Sequence, residues 1–534
     1  MRSLAFIVLV LALLLCTMSS VIETQSVIVS HTRVIVGVKQ GFDIRVVVQY
    51  LGSYGRVMSV IPELNAIVVS VPASLVGHLR SQPFAKYVEE DVIVTALAKP
   101  STGKVYFANY TQNTATVASS TTTISYTVKN NNAKQQVSVI VELISETGEL
   151  VASNQHVIPA RGSVTGSLTF TAPDTPGLYA WSLVLLNALD QSMVYDSEIV
   201  YLNVTAQVEN PSPTPTPPSS EVPVYNDTVT WNIKYVRAPN IWHNYNRTYG
   251  YAALGYHQSI QVAVLDTGID YSHQELNGNV VWCAKFLNSG STVYEGYDLS
   301  QCMDVYGHGT HVAGIIAARI NNMSIAGVAP YVVIYAVKVL SDSGSGYSSD
   351  IARGIVEAVK GPDDILGTED DADVISMSLG GPSSSILYDA VKYAYNNGVV
   401  LVAAAGNEGA STPSYPAGYP EVIAVGAIDS NYNVPTWSNR NPDLVAPGVT
   451  IYSTLPGNTY GYKSGTSMAC PHVSGVVAIL QAMRLQAGLG KLTPDQVRQI
   501  LISTAIDLGV KGYDEQYGYG LVDAYSALNL ALNS

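Results

Sequence analysis

Three short segments, far apart in the chain, carry residue types that together could do acyl-transfer chemistry. Asp266 closes the apolar run Val262-Ala-Val-Leu265 and is followed by Thr267-Gly268. His308 stands in Gly307-His-Gly-Thr-His311, and Ser467 in Gly465-Thr-Ser-Met-Ala469, each at the entry of a helical stretch. A serine hydroxyl is a poor nucleophile near neutral pH and needs a base beside it, and imidazole titrates in that range. The imidazole in turn needs a carboxylate to fix its tautomer and to stabilise it once protonated. A serine opening a helix also meets unpaired N–H groups, whose positive potential favours negative charge developing nearby. Each segment alone has a plainer reading. Asp266 would be a turn residue, His308 a helix-start histidine or metal ligand, and the Gly-Thr-Ser turn an N-cap. Only the three together specify chemistry.

Groups this far apart in sequence need a rigid frame. After residue 224, β-branched runs at 261–265, 332–339, 373–379, 399–405 and 422–427 alternate with helical stretches at 311–319, 349–360, 386–396 and 472–487. Continuous rather than alternating hydrophobicity marks strands covered on both faces, hence a parallel sheet. The expected fold of 224–534 is therefore α/β, a doubly wound and mostly parallel sheet with its ligand site at the carboxyl edge of the strands. Upstream, 27–97 is expected to be a compact α+β unit: Val34, Val36 and Val38 alternate as in a strand, 44–50 is helix or strand, 64–71 a strand and 72–81 a helix. Residues 101–208 are rich in Thr, Ser, Val and Tyr. Val137, Val139, Val141 and Leu143 keep the period of two that one buried sheet face requires. Similar runs at 122–129, 163–171, 178–187 and 199–206 predict about seven strands of an antiparallel β-sandwich. The Pro-rich stretch 209–223 is a linker stiffened into polyproline II.

Val264-Leu-Asp-Thr-Gly-Ile-Asp270, Gly307-His-Gly-Thr-His-Val-Ala-Gly314 and Gly465-Thr-Ser-Met-Ala-Cys-Pro-His-Val-Ser-Gly475 resemble the signature blocks of the subtilisin-like serine proteases, in the same Asp, His, Ser order. Asp373-Val-Ile-Ser-Met-Ser-Leu-Gly-Gly381 and Val402-Ala-Ala-Ala-Gly-Asn-Glu-Gly409 are similar as well, so the resemblance covers most of 224–534. It implies that Ser467 is the nucleophile, His308 the general base and then acid, Asp266 its orienting carboxylate, and Asn407 an oxyanion donor. It also implies that Ser378, Leu379 and Gly380, with Gly344, Ser345 and Gly346, are edges that pair with an extended substrate. Ala404, Ala405 and Gly406 would form a small-residue wall of the S1 pocket, leaving room for an apolar P1 side chain. Cys470 stands where relatives often carry Ser or Ala and is expected to be a buried small residue.

The tail of 27–97 is similar to the end of subtilisin propeptides, which implies a zymogen whose inhibitor and folding chaperone is its own first segment. The matching cut falls between Leu97 and Ala98 and would leave the sandwich on the enzyme; a cut in the linker near 222–225 would discard it. The resemblance further implies structural Ca²⁺, held by Asp227, Glu275 and Asn321 with the carbonyls of Arg319, Met323 and Ile325, and a weaker cation site at Asp443. The family usually has Asp where Glu275 stands. Cys283 and Cys302 share an insertion before His308, and in an exported protein a disulfide between them is expected, a metal site being the alternative. The acidic loop 363–373 reads as a solvated loop or a further ion site.

Composition excludes several classes. Hydrophobic residues make up 47% of the 534 and charged residues 13%, which is the reverse of a disordered chain. Lys plus Arg number 27 against 41 Asp plus Glu, a formal charge of −14; residues 224–534 hold 15 basic and 26 acidic side chains, or −11 of that total. A nucleic-acid partner is therefore not expected. Arg2 followed by an apolar run over 5–16 reads as a signal peptide spanning 1–25, too short to cross a bilayer, and no membrane span is expected in the exported protein. Cys16 follows Leu13-Leu-Leu15, which lacks the small residues of a lipidation site. The expected product is a secreted monomer of broad, apolar-leaning specificity, with protein and peptide substrates. Two alternatives fare worse. An adhesive or surface-layer protein would have lost one of the four catalytic positions. An esterase-type α/β-hydrolase would want Gly-x-Ser-x-Gly with the acid after the serine. Sequons at Asn109, Asn203, Asn226, Asn246 and Asn322 matter only in a host that glycosylates exported proteins.

Overall fold

Five apolar runs without alternation become strands buried on both faces, because helices cover the sheet above and below. The structure is a computed structural model that describes residues 30–97, 105–110, 113–117, 120–130, 136–145, 150–175, 177–188, 194–205, 229–242, 260–288 and 292–533. The expected signal peptide, the linker 209–223, Ala98 and Asp227 lie outside the described residues. The central sheet has eight strands in the order Thr292–Gly296, Val280–Leu287, Val333–Lys338, Gln261–Asp266, Val374–Met377, Val400–Ala404, Val422–Ile428 and Leu444–Pro447. All neighbours are parallel except the first pair, whose outer strand is an antiparallel edge. From Gln261–Asp266 the chain builds first to one side and then, from Val374–Met377, to the other. The strand order therefore reverses beside Asp266, where ligand crevices of such sheets form.

Two helix boundaries differ from expectation, both at the functional segments. The histidine helix, His308–Ala317, begins three residues before 311, with Gly307 in the left-handed region at φ 83° as its cap. The serine helix, Thr466–Gln486, begins well before 472 and carries Pro471 inside it. A proline there cannot donate to the carbonyl four residues back, which is that of Ser467. The Ser378 hydroxyl takes that carbonyl instead, at 2.8 Å. Among the described residues this is the helix long and apolar enough to cross a membrane, and it is the buried core helix.

Residues 31–90 form a four-stranded antiparallel sheet, Arg56–Ile61, Ala66–Pro72, His31–Val38 and Ala85–Glu90, with helices Ile44–Gly52 and Val76–Arg80. The expected strand starts at Ala66 rather than 64, and the expected helix over 72–81 is a 3₁₀ turn, Ala73–Leu75, followed by a short helix. This sheet docks by its carboxylates. Glu89 accepts from the amides of Ser385 and Ile386 at 2.9 and 3.0 Å. Asp91 accepts from the Ser349 amide and hydroxyl at 3.1 and 2.8 Å. Both therefore sit on the unpaired N–H groups opening helices Ser385–Asn396 and Ser348–Lys360, where negative charge is favoured.

The segment after residue 105 forms a five-stranded and a three-stranded sheet that share one apolar cluster, including Ile124, Tyr126, Leu143, Phe170 and Trp181. Val194–Thr205 pairs parallel with Asn113–Val117, which departs from an all-antiparallel arrangement.

Candidate active site

Asp266 ends a central strand and His308 opens the helix beside it. Both side chains are fully buried, and His308 Nδ1 lies 2.7 and 2.9 Å from the two Asp266 carboxylate oxygens. That contact fixes Nδ1 as the protonated nitrogen, with Nε2 free to act as acceptor. The helix start is braced by Asp304, whose carboxylate accepts from the Thr267 hydroxyl, the Gly307 amide and the Thr310 amide and hydroxyl at 2.7–2.9 Å. Cys283 and Cys302 form a disulfide that ties this loop to the sheet, and the Cys302 carbonyl accepts from the Ile269 amide at 3.0 Å.

Ser467 is the second residue of its helix and is buried. Its hydroxyl donates to the Ser378 carbonyl at 3.0 Å and not to His308, whose Nε2 has no hydrogen-bond partner among the described residues. This differs from the serine–imidazole bond that the sequence leads one to expect. Ser378 offers that hydroxyl a fixed backbone acceptor. Asn407 follows the strand Val400–Ala404. Its Oδ1 accepts from the Thr466 amide and hydroxyl at 2.9 and 3.0 Å, which aims Nδ2 outward, and Nδ2 donates to the Leu97 carbonyl at 2.5 Å.

Leu97 is thus threaded into the site. The strand Ile93–Ala96 lies antiparallel between Ser345–Tyr347 and Leu379–Gly380, in a three-stranded sheet. The Ala96 amide donates to the Gly344 carbonyl at 2.9 Å and the Leu97 amide to the Ser378 carbonyl at 3.1 Å. Val94 and Leu97 are buried, while Ile93 and Thr95 face solvent. A Cβ on Gly380 would come within 2.7 Å of the Leu97 side chain and 3.2 Å of Ser414 Cβ. Leu97 packs into the same apolar cluster as Ala404. Gly406, at φ 113°, lies against Asn439, Ser414 and Glu408.

Four residues escaped the sequence reading. Ser414 and Glu408 meet at the pocket wall, where Glu408 accepts from the Asn407 amide at 2.9 Å and from the Asn439 side chain at 3.0 Å. Thr466 orients Asn407, and Asp304 orients the histidine helix. Asp304 had a signal, being a capping residue type just ahead of a helix; the others converge only through the fold. Burial pushes the Cys470 thiol up to about 11, so it stays protonated, and pushes His472 down to about 3.

Of the expected metal ligands, Glu275 is buried and bonded to the Tyr460 hydroxyl (2.7 Å) and the Ile325 amide (3.4 Å), while its carbonyl accepts from the Arg319 amide at 3.0 Å. Asn321 reaches the Gln274 carbonyl at 3.3 Å and its Oδ1 accepts from the Met323 amide at 3.0 Å. Glu275 and loop 319–325 therefore come together. Asp443 pairs with Arg498 at 3.3 Å and its other oxygen accepts from the Ala424 amide at 2.8 Å. In the acidic loop, Asp363, Asp370 and Asp371 bring carboxylate oxygens within 4.8 Å of one another.

A doubly wound sheet with a buried carboxylate–imidazole pair, a helix-opening serine and an amide-lined carbonyl site defines a class, the serine hydrolases. The comparisons narrow it. The subtilase family profile matches residues 257–520. Subtilisin DY of Bacillus licheniformis is 43% identical over 307 residues, 56% of this chain and 98% of that protein. Subtilisin E of Bacillus subtilis (strain 168) is 42% identical over 310 residues, 57% of this chain and 72% of that protein. The major intracellular serine protease of the same strain is 42% identical over 288 residues, 52% and 83% respectively. The chain belongs to the subtilase family and is a serine endopeptidase.

Proposed function

We propose that this chain is the uncut precursor of an exported endopeptidase, and that its own residues 27–97 lie in the active site as inhibitor and first substrate. One observation carries the reading: Leu97 offers its carbonyl to Asn407 while the strand before it is hydrogen-bonded on both edges. In the reaction, the Ser467 hydroxyl turns from Ser378 to His308 Nε2, gives up its proton there, and attacks the carbonyl carbon. Asp266 holds the imidazolium through Nδ1–H. The oxyanion rests on Asn407 Nδ2 and the Ser467 amide. His308 then passes its proton to the departing amine, leaving an acyl-serine that water hydrolyses with the imidazole again as base.

Expression followed by N-terminal sequencing of the secreted product tests this. A terminus at Ala98 is expected; a terminus near 222–225 would place the cut in the linker and sink the Leu97 assignment. Because one relative is named as intracellular, export rests on residues 1–25, and recovery of the enzyme from the medium checks it.

Specificity follows from the two buried tail side chains. Val94 and Leu97 imply an apolar preference at P4 and P1, set by the Gly380 gap and the Ala404–Gly406 wall. Gly380→Val should fill the P1 space. It is expected to lower kcat/KM for leucine-P1 peptides about 10–100-fold relative to alanine-P1 peptides, since methylene-sized changes in such pockets are worth about 1–3 kcal/mol. An unchanged ratio would mean that Leu97 does not mark the P1 pocket.

Glu275, Asn321 and the carbonyls of loop 319–325 are hard oxygen donors of the type calcium selects. We place structural Ca²⁺ there, with Asp227 as a further ligand. Chelation is expected to lower Tm by roughly 5–15 °C, from a linkage of about 3–4 kcal/mol at saturating ion. Glu275→Gln should start from a lowered Tm and respond much less to chelator; an equal response in both proteins would move the ion elsewhere.

A further inference from the structure

We infer that the β-sandwich is a cap on the leaving-group side of the cleft, seated on the hairpin Ile451–Leu455 and Thr459–Lys463. While it stays attached, the enzyme cut at Leu97 hydrolyses short peptides far better than proteins. The inference rests on the Leu97 reading above and adds what lies beyond the scissile bond. The hairpin touches both catalytic segments. Its first strand packs on the histidine helix, where the Ser453 and Thr454 hydroxyls donate to the His311 and Thr310 carbonyls at 2.8 and 2.7 Å. His311 Nε2 ties the two strands together, donating to the Ile451 and Gly461 carbonyls at 2.9 and 3.1 Å. In the turn between them, a Cβ on Gly307 would stand 3.2 Å from the Pro456 ring. The second strand ends four residues before Ser467.

The sandwich meets that second strand. Its own strand Val194–Thr205 approaches Thr459–Lys463 with Cα atoms within 8 Å, and the two belong to separate sheets, so the contact can open without unpairing either. Four of the five residues of Thr459–Lys463 are half-buried, although it is one strand of a two-stranded hairpin. Successive strand residues point to opposite faces, so both of its faces are covered. Chain direction agrees. Residues 93–97 fill one half of the cleft up to the scissile carbonyl, and the chain after Leu97 leaves by the other half. Seven residues later, Val105–Tyr110 is already a sandwich strand and lies beside Val194–Thr205. Seven residues reach at most about 25 Å. Cleavage therefore leaves the new Ala98 terminus tethered near Ser467, at an effective concentration of order millimolar.

The test places a site for an added sequence-specific protease in the linker 209–223 of the full chain, which folds and self-processes before the linker is cut. Casein is compared with a valine-P4, leucine-P1 peptide p-nitroanilide, which has no residue beyond the scissile bond. A cap seated nine-tenths of the time lowers kcat/KM about 10-fold for substrates that need the covered side. Cutting the linker and assaying at nanomolar enzyme removes the tether, and casein hydrolysis is expected to rise about 10-fold while anilide hydrolysis stays within twofold. Tyr462→Asp, which puts a carboxylate on the docking strand where Tyr462 stacks on Tyr452, should give a similar rise with the linker intact. Active-site titration of each protein keeps a folding defect apart from an effect on access. A casein-to-anilide ratio within twofold of the uncut enzyme, both after linker cutting and in Tyr462→Asp, would overturn the inference while a terminus at Ala98 still upheld the Leu97 reading. Self-processing at 222–225 instead would fail that reading and the cap with it, since no tethered terminus would form.

Discussion

Ser467→Ala is expected to accumulate as a precursor uncut at Leu97, with peptidase activity lowered by about 10⁶-fold in kcat, the magnitude known for loss of the nucleophile in subtilisin itself. The argument is geometric. The Leu97 carbonyl is already held by Asn407 and its amide by Ser378, so alanine should not eject the tail. What disappears is the hydroxyl placed to attack. The Ser378 carbonyl loses one of its two donors but keeps the Leu97 amide, so stability should change little. N-terminal sequencing of the purified mutant, made without added protease, decides the matter. A terminus at Ala98 in that protein would show that another group performs the cleavage.

Asn407→Leu carries the second-largest expected effect. Leucine keeps the bulk but removes the Nδ2 donor, and loss of one such donor typically costs about 2.7–4 kcal/mol, or 10²–10³-fold in kcat, with KM nearly unchanged; subtilisin is again the source of that figure. The split between kcat and KM is the informative part, because a donor whose bond strengthens as the carbonyl becomes an oxyanion acts on kcat, whereas one that holds the uncut carbonyl equally well would act on KM alone. Asn407 also accepts from Thr466, so a second variant is needed: Thr466→Val should give a smaller loss by letting the amide swing. If Asn407→Leu changed KM and left kcat intact, Asn407 would be a substrate-binding residue and not a transition-state donor.

Much of the frame was legible in the chain of residues alone. Uninterrupted β-branched runs at 261–265, 399–405 and 422–427 sit within a residue or two of the observed strands, because burial on both faces leaves no other use for such runs. The positions of Asp266, His308 and Ser467 at strand ends and helix starts could be read as well, since Gly-rich turns punctuate them. How far ahead of 311 and 472 those helices begin could not. The serine helix runs through Pro471 because a hydroxyl from Ser378, some ninety residues earlier, takes the carbonyl that the proline strands.

Sequence by itself determined which chemical groups the protein owns and that they belong at the edge of a buried sheet, because residue type and hydrophobic period are local properties. Tertiary structure decided which groups meet. It alone aimed the Asn407 amide at Leu97, laid Tyr306 over Gly344, and paired Asp443 with Arg498. Those contacts join residues tens to hundreds apart, and a few tenths of an ångström in their approach settles which side chain fits.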